Sequence, residues 1–300
     1  MSSERSLSVI PDKVLRSSDG TSVKLVQITK REGLVTIESG RYEVDGESIL
    51  CLSGQIGCAM KCQFCRSTEP FEFVASEPKR ILRNLTAEEI VDQATNAIQI
   101  VPIPPTSKGM VFSYMGMGEP FANIKAVKES IISLGTKYPQ ARATISTIGF
   151  NLKGITEFAD EVSSRVYPIP IKLHISLHGS SDEQRKQIIP YALPIIETLS
   201  VAESFALKTQ TEVKLNYVLV SGFNDGGEDA NRLSELLKGK HGLVIKLSDL
   251  NSEDEALIVS SEKADQFEKQ LNNYGIRTCR FTSMGKDIKA GCGELVKGKK

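Results

Sequence analysis

Ser48-Ile49-Leu50-Cys51-Leu52-Ser53-Gly54-Gln55-Ile56-Gly57-Cys58-Ala59-Met60-Lys61-Cys62-Gln63-Phe64-Cys65 joins a short apolar strand to a loop carrying three closely spaced cysteines. The spacing C-x3-C-x2-C puts Cys58, Cys62 and Cys65 on one loop. Three thiolates so placed can hold three irons of a cubane iron–sulfur cluster, whereas a fully ligated cluster needs four. The fourth iron is then open to chemistry. The competing reading is a zinc site with Cys51 as fourth ligand. Structural zinc usually joins two separated ligand pairs, and no second pair follows here.

Working outward, apolar runs with β character alternate with helical periodicity. Strands are expected at 48–52, 110–114, 143–147, 171–177, 213–220, 243–247 and 276–281. Helices are expected between them: one opening at the capping box Thr86-Ala87-Glu88-Glu89, then near 125–134, 153–162, 191–207, 229–239 and 261–273. This alternation implies parallel strands with helical crossovers. The fold class is α/β, a partial (β/α)6 TIM-like barrel. Ahead of it, strands at 23–28 and 35–38 joined by Lys30-Arg31-Glu32-Gly33 form a small N-terminal β-extension. The expected organisation is an extension over 1–46, a barrel with a C-terminal cysteine loop over 47–295, and a basic tail over 296–300.

The chain has 300 residues, with Lys+Arg and Asp+Glu both 37. Zero net charge is a poor general footprint for a polyanion, although a local basic patch remains open. No apolar run approaches a membrane span, and Met1-Ser2-Ser3-Glu4-Arg5 lacks secretory character. Six cysteines without an export signal point to a reducing compartment, the cytoplasm, and to metal or redox chemistry over disulfides.

Polar and small residues gather where the strands end. The cysteine loop follows the first strand and Gly116-Met117-Gly118-Glu119-Pro120 the second. Ser146-Thr147 ends the third, Ser176-Leu177-His178 the fourth, and Asn251 follows the sixth. In parallel barrels, the loops at this face build the active site. Each residue also has a structural explanation. The glycines turn the chain, His174 and His178 are satisfied core histidines, and Ser146 and Asn251 cap helices. By the same standard His241 is structural, Cys279 a buried strand residue, Cys292 an idle thiol and Glu38 a solvated strand residue.

The cysteine spacing resembles the signature of the radical S-adenosylmethionine (SAM) enzymes. The segments 51–58, 84–90 and 115–120, with Ser146-Thr147-Ile148-Gly149, Ser176-Leu177-His178, Asn224-Asp225-Gly226, Asp287-Ile288 and Cys292-Gly293-Glu294-Leu295, go further. Over residues 20–295 they look like the dual-specificity RNA adenine methyltransferases, which act on adenosine C2 in ribosomal and transfer RNA, and their C8-methylating relatives. The resemblance implies a [4Fe–4S] cluster on Cys58, Cys62 and Cys65. It implies SAM contacts from Gly118, Glu119, Ser146, Ser176, Leu177, His178 and Asn251. Cys292 would receive a methyl group, Cys51 would resolve a covalent adduct, and Glu38 would accept a proton. Adenine's amidine carbon is electrophilic and does not attack SAM's methyl group directly, so a methyl group on a cysteine, activated by a radical, gives the chemistry a route. The expected partners are adenosine-containing RNA and a flavodoxin-like or ferredoxin-like electron donor, for a monomeric protein.

That family usually carries an additional N-terminal domain that grips RNA, and 50 residues before Cys51 are too few for it. The same two-SAM chemistry on a small molecule, free nucleotide or peptide is therefore an alternative. A non-catalytic iron–sulfur or zinc protein is a third.

Overall fold

The computed structural model describes residues 7–31, 36–70, 79–252, 255–259 and 261–296. Residues 32–35, which include the expected strand start at Val35 and part of the charged turn, lie outside them, as do residues 1–6 and the basic tail from 297. Three antiparallel strands come first: β1 (Val9–Arg16), β2 (Ser22–Thr29) and β3 (Thr36–Val44). β4 (Glu47–Cys51) pairs antiparallel with β3 and parallel with β7 (Gly109–Tyr114). Between β4 and β7, β5 (Gln55–Gly57) and β6 (Ile81–Asn84) form a separate two-stranded ribbon, followed by α1 (Ala87–Ile100).

From β7 the chain repeats: α2 (Ile124–Lys137), β8 (Arg142–Thr147), α3 (Leu152–Ser163), β9 (Ile171–Ser176), α4 (Asp182–Ile188) and α5 (Ile195–Thr209), β10 (Val213–Leu219), α6 (Gly227–Leu237), β11 (Leu243–Asp249), α7 (Ser261–Asn273) and β12 (Thr278–Phe281). Strand order is β1-β2-β3-β4-β7-β8-β9-β10-β11-β12, parallel from β4 onward. This is the expected partial barrel, with the N-terminal strands continuing its sheet. The helix expected at 191–207 is α5, opened by Pro194, and α4, capped by Ser181 through Gln184 N, is an additional helix before it.

Alternation along each strand sets the layers. Ala143, Ile145, Leu173, Ile175, Leu215, Tyr217, Ile245 and Leu247 are buried against the helices. Their neighbours Arg142, Thr144, Lys172, His174, Lys214, Asn216 and Lys246 face the interior. Barrels of this type usually fill that interior with branched apolar residues; here it is polar and open.

α1 fastens the extension to the barrel. Its capping box is formed, with Thr86 Oγ1 accepting from Glu89 N (3.2 Å) and Glu89 Oε2 from Thr86 N (2.8 Å). Further along, Asp92 accepts from Ser8 N, while Asn96 donates to Val9 O and to Gln27. Beyond β12, the segment up to Val296 crosses the open side. Ser18 N donates to Asp287 (2.8 Å), Lys24 Nζ to Lys289 O (2.9 Å), and Val296 N to Glu38 Oε2 (2.9 Å).

Candidate active site

The cysteine loop is built by local turns. Gly57 and Lys61 both take positive φ, which tightens the path between Cys58 and Cys62. Thr68 Oγ1 donates to the carbonyls of Cys65 (2.8 Å) and Cys62 (3.3 Å), and Gln63 N to Ile188 O (2.9 Å). Cys62 is buried with Ile148, Ile189 and Ala192, which fixes the loop's underside. Cys58, Cys62 and Cys65 all face a cavity of about 130 Å3 at the C-terminal ends of the strands. Burial first, then the neighbouring Cys65 and Cys58, raises the Cys62 thiol well above its ordinary value.

Across that cavity lie Gly118, Glu119, Ser146, Ser176, His178 and Asn251. Leu177 is fully buried behind the wall, and its N–H donates to Asn216 O. Gly118 has φ of 102°, and a Cβ there would stand 2.7 Å from Gln55, so the residue types able to follow Met117 are restricted. Gln55 Oε1 accepts from Glu119 N (2.9 Å). The Glu119 carboxylate accepts from Phe121 N (3.1 Å) and Ile148 N (3.0 Å). Burial pushes its pKa up to about 7 against those bonds.

His178 takes φ of 53° just beyond β9. A non-glycine residue there stores about 1 kcal/mol or more, and its surroundings hold it. Its Nδ1 accepts from Val218 N (3.0 Å), Asn224 donates to its carbonyl (2.8 Å), and Phe64 meets its ring edge-on at 4.9 Å. Burial, then Arg185, brings its pKa down to about 3, so the ring is neutral.

The other two predicted cysteines meet in an adjoining lobe of about 240 Å3, which shares Cys65, Met115, Gly116, Lys246, Ser283, Cys292 and Gly293 with the first. Cys51 ends β4 and Cys292 lies in the C-terminal segment. Asn251 Nδ2 donates to Cys292 O (2.9 Å) and Ser283 Oγ (2.9 Å), and Cys292 N donates to Ser283 Oγ (3.1 Å). Gly293 O accepts from Arg66 N (2.8 Å), joining this segment to the cysteine loop. Cys292 is an exposed residue that lines both lobes. Burial raises its pKa; Cys65 adds to that and Lys246 opposes it. Burial, then Cys292, brings Cys51 up to about 12.

Glu38 lines neither lobe. Its carboxylate is buried and held by Val296 N and by Lys24 Nζ at 3.4 Å. Burial raises its pKa despite those partners.

Among the described residues, no three Cys, His, Asp or Glu side chains converge closely enough for a single metal ion. Three separated thiols around a cavity instead suit a cluster bound at three corners. Beside them, Ser146 Oγ, Asn216 Oδ1 and Asn251 Oδ1 are buried without a hydrogen-bond partner. Such atoms usually find a partner, and a polar ligand in this cavity supplies one.

Residues 52–233 match the Radical SAM superfamily model. This chain belongs to the radical SAM superfamily. Within it, the family is that of the dual-specificity RNA methyltransferases. The chain is 32% identical to the dual-specificity RNA methyltransferase RlmN of Syntrophotalea carbinolica, covering 96% of this chain and 73% of that protein. A probable dual-specificity RNA methyltransferase of Symbiobacterium thermophilum is 34% identical over 83% of this chain, which spans 64% of that relative's length. A radical SAM methyltransferase from Sphaerobacter thermophilus superposes with a TM-score of 0.82 at 30% identity, covering 96% of this chain and 81% of that one. Radical SAM enzymes work with a [4Fe–4S] cluster and SAM, and the thiols and unpartnered polar atoms fit both. None of the described helices is long and apolar enough to cross a membrane.

The inward cations Arg142, Lys172, Lys214 and Lys246 were not expected. For the first three the signal is the alternation in Arg142-Ala143-Thr144-Ile145-Ser146, Ile171-Lys172-Leu173-His174-Ile175-Ser176 and Val213-Lys214-Leu215-Asn216-Tyr217; Lys246, in Leu243-Val244-Ile245-Lys246-Leu247, breaks an apolar run. In each of the first three, every second residue is polar.

Proposed function

We propose that this protein methylates an sp2 carbon of adenine in RNA by way of a methyl group carried on Cys292. Cys58, Cys62 and Cys65 hold the cluster, while Gly118, Glu119, Ser146, Ser176, His178 and Asn251 surround SAM. When bound, these cofactors supply one-electron chemistry able to remove a hydrogen atom from an unactivated methyl group. The protein's own part is placement. Cys292 is tethered by Asn251 and Ser283 between the two lobes, within electrostatic reach of Cys65 on one side and Cys51 on the other. Burial keeps both accessory thiols protonated at rest, so each reacts only once its proton is taken. Glu38 belongs to the same buried neighbourhood and serves as proton acceptor after a rearrangement that frees it from Val296.

One observation carries this reading: two thiols from opposite ends of the chain, Cys51 and Cys292, share a cavity wall with the cysteine loop. Mass spectrometry of the purified protein, digested around Cys292, tests it. A mass increase of one methyl group on the Cys292 peptide, lost in Cys58→Ala, is the expected result. A cluster-loaded protein that cleaves SAM, leaves Cys292 unmodified and gives no methyladenosine with any RNA would overturn the proposal. Reduction by a flavodoxin-like or ferredoxin-like donor belongs to the same proposal.

A further inference from the structure

The starts of β8, β9 and β10 and the middle of β11 each send a cation into the barrel: Arg142, Lys172, Lys214 and Lys246. With His174 they wall the lower part of the lobe that reaches Cys51 and Cys292. Lys172 precedes Ser176, at the upper cavity, by four residues, or about 13 Å of strand.

Pairing accounts for only part of this charge. Arg142 is held by Glu47, and Arg280 at the edge lies 3.7 Å from Asp265. Among the described residues, Lys172, Lys214 and Lys246 form no ion pair. Lys246 rests against the Phe281 ring, 3.8 Å from its centroid. Among the described residues, the acids on the wall are Asp45, exposed in a turn, and Glu47, which acts on Lys172 as well as Arg142. Outside it, Glu212 faces Lys172 but is paired with Arg277. His174 is 7% exposed, and its Nδ1 has no partner.

The cations also crowd one another. Burial, then Arg142 and Lys214, lowers Lys172, and burial brings Lys246 down to about 8. His174 is held well below its ordinary value by burial, then by Lys246, Lys214 and Lys172. Lys246 and His174 are buried, Arg142 and Lys214 half-buried, and Lys172 exposed at the lower mouth; the buried Lys246 charge is costly without a counter-charge. Three ammonium groups on the adjacent strands β9, β10 and β11 match the two charges of a terminal phosphate better than the single charge of a phosphodiester.

We propose that the lower lobe binds a phosphate monoester or free phosphate dianion between Lys172, Lys214 and Lys246, with His174 donating or accepting beside them. The two sources share this chemistry: inorganic phosphate, or the terminal phosphate of a mononucleotide whose base extends toward Cys51 and Cys292. The site goes beyond the methyl-transfer reading and does not depend on it.

Isothermal titration of the cluster-reconstituted full chain with inorganic phosphate, adenosine 5′-monophosphate and adenosine tests the site. Phosphate and the monophosphate should bind, with adenosine at least ten-fold weaker. Lys172→Met/Lys214→Met should lose at least ten-fold in phosphate affinity, and Lys214→Arg should keep most of it. Tighter binding of the monophosphate than of phosphate identifies a nucleotide as the source, and equal binding identifies free phosphate. Acetylation of Lys172, Lys214 and Lys246 in the wild-type protein, read by mass spectrometry, should be suppressed by phosphate, and this decides the matter if the double variant fails to fold. Equal affinity for adenosine and its monophosphate, or no protection of the lysines, would overturn the site. The Cys292 peptide is followed in the same preparations. Methylated Cys292 without phosphate binding sinks only this proposal, and phosphate binding with unmodified Cys292 sinks only the methyl-carrier reading.

Discussion

Lys246 stands between the two lobes, and its cation is the one group that draws the Cys292 thiol pKa down against burial. Lys246→Met removes that attraction, so the Cys292 pKa must rise. Iodoacetamide should then alkylate Cys292 several-fold more slowly at pH 8, measured by quantifying the modified peptide; an unchanged rate would show that the lysine does not reach the thiol. His178 gives a second residue-level outcome. Its folded pKa of about 3 lies below the usual 6.5. Stability is therefore present above the unfolded value and lost as pH falls from about 6.5 toward 3. Between pH 7 and pH 5 the protein should lose about 2 kcal/mol through this group. His178→Asn, which tolerates the left-handed backbone, should flatten that part of the urea-denaturation pH profile.

At the scale of elements, the barrel was legible because strand and helix periods differ, and each strand ended in polar residues. β1 was missed for a physical reason: Val9-Ile10-Pro11-Asp12-Lys13 contains a proline and a bulge between Pro11 and Lys13, and most of the strand faces solvent. Prolines of this kind are confined to edges. α4 has no counterpart among the expected helices because seven residues carry too little periodicity to mark one. Yet α4 supplies Arg185, 1% exposed, which donates to Leu193 O, to Ile148 O (2.8 Å) and to Ser176 O (3.2 Å). It ties the ends of β8 and β9 to the α4–α5 turn, beneath Ser146, Ser176 and His178. Arg185→Met leaves those carbonyls buried without donors, so a loss of about 3 kcal/mol in urea denaturation is expected. Less than 1 kcal/mol would mean that water replaces the guanidinium.

Over the whole molecule, composition concealed the charge that matters, because a zero net charge says nothing about which side of a strand the lysines occupy. It also concealed the closure. Cys292 lies far from Cys51 in sequence and reaches the cavity only because the C-terminal segment spans the gap between β12 and β3. That span is held by groups from the extension and the cysteine loop: Tyr42 to Ala290 O, Ser67 to Leu295 O (2.6 Å), Arg66 N to Gly293 O, and Glu38 to Val296 N. Gly293, at φ of 83°, permits the approach, since a Cβ there would stand 2.8 Å from Phe64 O. Gly293→Ala therefore forces both a strained backbone and a collision with the cysteine loop, costing about 1 kcal/mol or more. The variant should load its cluster normally, seen by its absorbance, while methylation of the Cys292 peptide falls at least ten-fold. Equal losses of cluster and methyl mark would mean that the segment supports the cysteine loop and does not merely deliver Cys292 to it.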